Sequence, residues 1–267
     1  MKGKINIPAI ILFYAIAVVF RFLVVKTTLL NQVDNEYLKI LLRGMGPTIG
    51  AIAAFALFKI PSGLSLKGIY KNFMLPFAVY WILPAALIAS VYYWQTSQFP
   101  IVLIFTVLVY GLLEEIGWRG FLQQQLKPLP KIYSIITIAI LWFSWHLNFD
   151  LSASNLIFFG IIFLGTWGIG KVYDKTASLL AVAGVHSLNN FFRNGLHQTE
   201  LILIAVLLAI WVVFVIWHPK TKTPGNRQAN LERRKRDSNP RTCYSQNHFR
   251  KDYHIPETKT PGSRLAI

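Results

Sequence analysis

Three short runs in this sequence place ionisable or amide side chains among otherwise apolar residues. They are Gly111-Leu-Leu-Glu114-Glu115-Ile-Gly-Trp-Arg119-Gly120, Leu141-Trp142-Phe143-Ser144-Trp145-His146 and Gly184-Val185-His186-Ser187-Leu188-Asn189-Asn190. On a helix, Glu115 and Arg119 lie one turn apart on the same face and can pair. Glu114 points about 100° away from that face. The spacing therefore separates two roles: a structural ion pair, and a carboxylate left for acid–base chemistry. His186 and Asn190 likewise share a face. A neutral imidazole can bind a metal, accept a proton or donate to an oxyanion, and an amide can donate.

Each run taken alone has a plainer reading. A single histidine in an apolar helix is most often an interhelical hydrogen-bond partner, and a Glu–Arg pair is most often helix glue or part of a transport path. Their depths argue for more. Counting about 1.5 Å per residue from each helix's expected cytoplasmic end, Glu114, His146, His186 and Asn190 all fall about 15–21 Å in. Ionisable groups at that depth cost about 2.5–3.5 kcal/mol each even on lenient scales, which marks them as functional candidates.

The elements that must carry these residues are membrane helices. The chain has 267 residues, 54% of them hydrophobic and 14% charged, against about 25% charged in soluble proteins. A bilayer-crossing helix needs about 20 mostly apolar residues. Eight stretches meet or approach that length: 5–26, 38–58, 73–94, 101–126, 132–149, 154–171, 176–195 and 200–217. The expected fold is all-α, a polytopic membrane protein of about eight transmembrane helices with the candidate site on three of them. The first stretch follows Lys2 and Lys4 as a signal peptide would, but its apolar run continues to Val25, as in a retained anchor.

Connection charges set the expected orientation. Lys2 and Lys4, then Lys59, Lys67 and Lys71, then Lys127 and Lys131, then Lys171 and Lys175 fall on every second connection. That alternation follows the positive-inside rule and places both termini in the cytoplasm of a multi-pass protein of the cell membrane. Arg21 and Arg43, near span ends, are expected to snorkel. The net charge of +16 would suggest nucleic acid in a polar chain; here it reads as topology plus a tail, and no nucleic-acid partner is expected. Residues 1–217 form the expected transmembrane domain. Residues 218–267 hold 12 Lys+Arg and 4 Asp+Glu with few aliphatics, and are expected to be a disordered basic extension. The single cysteine, Cys243, excludes a disulfide scaffold, a cysteine zinc cluster and an iron–sulfur centre.

The three motifs resemble those of the CAAX prenyl protease and bacteriocin-processing (Abi) family of intramembrane proteases, over about residues 73–195. The family pattern is Glu-Glu-x-x-x-Arg, Phe-x-x-x-His and His-x-x-x-Asn, each on its own helix. Here it reads Glu114-Glu115-x-x-x-Arg119, Trp142-x-x-x-His146 and His186-x-x-x-Asn190. The resemblance implies that Glu114 and His146 activate a water and that His186 and Asn190 stabilise the tetrahedral oxyanion. Glu115 and Arg119 would hold the geometry. Trp142 stands at the family's Phe position, so aromatic packing beside His146 is expected to persist.

Family members have been described both as metalloproteases and as glutamate proteases without a firmly bound metal. No His-Glu-x-x-His occurs here, so spacing does not argue for zinc, yet Glu114, His146 and His186 can together hold one divalent metal and a water. The implied substrate is a peptide or membrane-associated protein, with bacteriocin maturation, self-immunity or regulatory proteolysis as the implied setting. Two other classes compete: a proton- or ion-coupled transporter, disfavoured by the lack of an inverted repeat between the halves, and a non-catalytic immunity or scaffold protein.

Overall fold

The computed structural model of the chain describes residues 4–188, 190, 202, 205–207, 209, 210 and 213. Among them every regular element is helical. Five helices are long and apolar enough to cross a membrane: α1, Ile7–Lys26; α2, Glu36–Leu57; α3, Phe73–Thr96; α4, Ile101–Gln125; and α6, Ala153–Thr176. A shorter apolar helix α5, Lys131–Trp145, precedes α6, and α7 runs Leu179–Ser187. Large aliphatic side chains stand exposed on the helices' outer faces, among them Ile11, Val19, Ile52, Leu57, Leu156, Ile157 and Leu164. Apolar surface on that scale suits lipid rather than water.

Local sequence explains where the helices begin. Asn6, Asn35, Ser152 and Ser178 each accept a hydrogen bond from a first-turn amide of α1, α2, α6 and α7, the usual way to satisfy an orphan donor. α5 ends earlier than the expected 132–149 stretch. His146 is its C-terminal cap, Leu147 takes a left-handed backbone (φ 56°), and the following loop is tied by Asn155, whose amide donates to the Asp150 carbonyl at 2.7 Å. At 15 residues, α5 spans only about 22 Å. The candidate site residue His146 thus sits at the end of a short helix. Of the seventh and eighth expected stretches, the part beyond residue 190 lies largely outside the described residues, as does the 218–267 extension.

Two close approaches set the frame around the site. Ala9, Phe13 and Ala17 form the buried stripe of α1 against α2. There a Cβ on Gly46 would come within 2.8 Å of the Ala17 carbonyl oxygen, so only glycine allows the two backbones this near. A Cβ on Gly111 in α4 would meet the Ala183 carbonyl of α7 at the same 2.8 Å. That contact brings the third motif against the first. α2 also reaches α4 through the Thr48 hydroxyl, which donates to the Leu113 carbonyl next to Glu114.

The start of α7 is fixed by the connection after α2. Leu179 and Leu180 amides donate to the Ser65 and Leu66 carbonyls at 2.9 and 3.1 Å, and the Ser178 hydroxyl donates to Leu66 at 2.6 Å. A loop running against helices must pair its backbone groups in this way.

Candidate active site

α4 carries the first motif into the interior. Its helix widens into a π segment over Ile116–Leu122, all of it from Gly117 onward buried. Such segments add a residue to the turn and re-aim the side chains around them. Glu114 is 1% exposed, and Glu115 and Arg119 are 0% exposed. Charges buried this completely must be paired.

The pairing follows the face argument. Arg119 Nε lies 3.1 Å from Glu115 Oε2, and Arg119 Nη1 donates to Glu115 Oε1 at 3.2 Å. Only the Nη1 contact has hydrogen-bond geometry; Nε and Oε2 lie close as opposite charges without a hydrogen bond between them. A further partner of Glu115 comes from α7: His186 Nδ1 is 2.6 Å from Glu115 Oε1. The opposite ring nitrogen, Nε2, is 3.7 Å from Glu114 Oε2. His186 therefore bridges the two adjacent carboxylates that the helix sends in different directions.

Glu114 is held by aromatic donors. Trp142 Nε1 of α5 donates to Glu114 Oε2 at 3.0 Å, and Trp118 Nε1 donates to the same oxygen at 3.4 Å. The Tyr110 hydroxyl, one turn back on α4, also hydrogen-bonds this carboxylate, and Oε1 is buried and takes neither indole N–H. One oxygen is thus anchored by both indoles and the other by neither. The Trp142 ring also packs on His186, with centroids 5.1 Å apart, and lies under the Arg119 guanidinium at 4.8 Å.

His146 and Asn190 stand apart from these direct contacts. His146 Nδ1 is 2.8 Å from the Trp142 carbonyl. A carbonyl only accepts, so Nδ1 carries the proton and a neutral ring keeps a lone pair on Nε2. The ring is clamped edge-on by Trp145 and Phe158, at 5.1 and 4.9 Å. No hydrogen bond joins it to Glu114 among the described residues. Asn190 follows α7, and its amide nitrogen is buried without a partner among the described residues. The structure thus joins Glu114, Glu115, Arg119, Trp142 and His186 by contact, and leaves His146 and Asn190 with unused polar capacity.

Among the described residues no three His, Cys, Asp or Glu side chains are grouped to hold a metal ion. Glu114 Oε2 is engaged by indole N–H groups and His186 Nδ1 by Glu115, while His186 Nε2 faces Glu114.

Sequence reasoning missed two contributors. The tryptophans were credited with packing alone, although a Trp N–H inside an apolar helix needs an acceptor, and Glu114 is the acceptor. Arg21 was expected to snorkel, and instead turns inward. Its Nη1 donates to the Arg43 carbonyl at 3.0 Å, and its guanidinium lies 4.4 Å over the Trp145 ring. The signal was Pro47. With no N–H of its own, it orphans the carbonyl four residues earlier, which is that of Arg43.

Residues 96–192 match the family described as Rce1-like, type II CAAX prenyl endopeptidase. The matched segment runs from the end of α3 through the third motif and so contains all seven candidate residues. No curated protein matches the chain.

Proposed function

We propose that this chain, a multi-pass membrane peptidase belonging to the Rce1-like family of type II CAAX prenyl endopeptidases through residues 96–192, hydrolyses a peptide bond within the bilayer with Glu114 as general base. The observation that carries this reading is the divided Glu114 carboxylate: Oε2 anchored by two indole N–H groups, Oε1 buried and bonded to neither.

A water held against Oε1 gives up its proton as its oxygen attacks the scissile carbonyl carbon. His146 Nε2 accepts a hydrogen bond from the same water. The carbonyl oxygen becomes an oxyanion, and the unpartnered Asn190 amide donates to it, with the Nε2–H of a doubly protonated His186 as the second donor; such groups act where charge develops. Collapse of the tetrahedral intermediate breaks the C–N bond, and the proton held on Glu114 passes to the departing amine. Glu115 and Arg119 fix the His186 ring and the α4 turn. No step is assigned to a metal.

In this reading the chain crosses the cell membrane eight times, with both termini cytoplasmic. Its substrate is a peptide or protein anchored at the membrane, a prenylated C-terminus being the first to test. The full chain reconstituted in vesicles is offered a farnesylated peptide and a bilayer-anchored peptide set, and new termini are mapped by mass spectrometry. Wild type is expected to release products that His146→Ala releases far more slowly. Equal processing by both would remove the mechanism.

A further inference from the structure

The family pattern places phenylalanine where this chain has Trp142, and phenylalanine packs without donating. In this chain the position does both. The indole N–H reaches across from α5 to α4 and ends 3.0 Å from Glu114 Oε2. The ring is fixed on three sides: by Arg119 over one face at 4.8 Å, by His186 at 5.1 Å and by Trp118 at 6.2 Å. It is 5% exposed, so water does not compete for the N–H. Trp118 donates to the same oxygen over a longer 3.4 Å. A carboxylate with both indole donors on one oxygen cannot exchange its two oxygens by rotation without breaking both of those bonds.

We infer that Trp142 is a positioning residue whose indole N–H locks Glu114 Oε2 and thereby commits Oε1 to the proton transfer. The inference rests on the reading of Glu114 as the base. It adds to that reading a donor that a phenylalanine could not supply, and it makes this chain's base dependent on a second helix. Because the indole is buried and its N–H is spent on Glu114, its loss is expected to slow the chemical step and to leave substrate binding nearly as it was.

Two variants separate the N–H from the ring. Trp142→Phe removes the donor and part of the bulk. Replacing Trp142 with 3-benzothienylalanine keeps the bicyclic shape and puts sulfur in place of N–H. A hydrogen bond to a charged group contributes about 1.5–3 kcal/mol, which corresponds to a fall in kcat of about 10- to 100-fold. Both variants are expected to show that fall, with KM within about threefold of wild type. Wild-type kcat in the benzothienyl protein would mean that shape alone matters and would overturn the inference. A raised KM with unchanged kcat would make Trp142 part of the substrate pocket, which also overturns it.

The bond itself has a readout that needs no turnover. In an indole-15N spectrum of the full chain in nanodiscs, the signal lost in Trp142→Phe is that of Trp142. It is expected to move when Glu114 is replaced by Ala, and an unmoved signal would rule out the bond. A shifted signal together with full activity in Glu114→Gln would instead sink the general-base reading, so the two failures are distinguishable.

Discussion

At the scale of single residues, the site contains two adjacent carboxylates with different duties. Glu115 is spent mainly on structure: Oε1 takes Arg119 Nη1 and His186 Nδ1, and Oε2 lies against Arg119 Nε without a hydrogen bond. This much was legible from the sequence, because a four-residue spacing puts 115 and 119 on one helix face. What lay beyond the reach of spacing was Glu114's surroundings. Periodicity gives a face, not a rotamer or a neighbour from another helix, so the two indole donors could not be placed. Breaking a buried ion pair from one side strands the other charge and costs about 3–5 kcal/mol. Arg119→Met is accordingly expected to lower resistance to unfolding by that order, measured by thermal or SDS titration in detergent. Glu114→Gln, which alters no ion pair with arginine, is expected to unfold close to wild type. Equal destabilisation of the two variants would contradict the division of roles.

At the scale of elements, the arrangement depends on helices outside the matched segment. Pro47 breaks one rung of α2, and α1 repairs it through Arg21, which in turn covers Trp145 beside His146. Hydropathy placed Arg21 near a span end, where an exposed arginine would snorkel; the orphaned carbonyl, a tertiary demand, drew it inward. Arg21→Met removes a donor from a carbonyl with no helical partner, at an expected cost of about 1–3 kcal/mol. In a Pro47→Ala background the new amide can satisfy Arg43 within α2, so the same substitution is expected to cost less. Unfolding free energies of the two singles and the double give the coupling, and strict additivity would show that the proline and the arginine are unconnected. The early end of α5 was similarly hidden. Residues 146–149 are apolar enough to continue a helix, and the turn at Leu147 with its Asn155 anchor ends it instead.

At the scale of the whole molecule, composition and hydropathy were enough for the coarse architecture, all-helical with several membrane-length apolar helices; eight were expected, and five qualify among the described residues. The five long helices coincide with expected stretches to within a few residues at most ends, because lipid demands uninterrupted apolar length. The proposed orientation rests on the lysines on alternate connections, and the single cysteine offers a direct check. Cys243 in the basic extension is expected to resist a membrane-impermeant maleimide in intact spheroplasts and to react after lysis; labelling from outside would reverse the topology. The account as a whole turns on Glu114 Oε1 as the proton acceptor in hydrolysis. The most direct test is the single-turnover cleavage rate of Glu114→Gln against wild type in the same vesicles, with both proteins shown to be equally folded. A positioned general base contributes about 10²–10⁴-fold, so the variant is expected to fall by at least about a hundredfold. A rate within about threefold of wild type would contradict the mechanism.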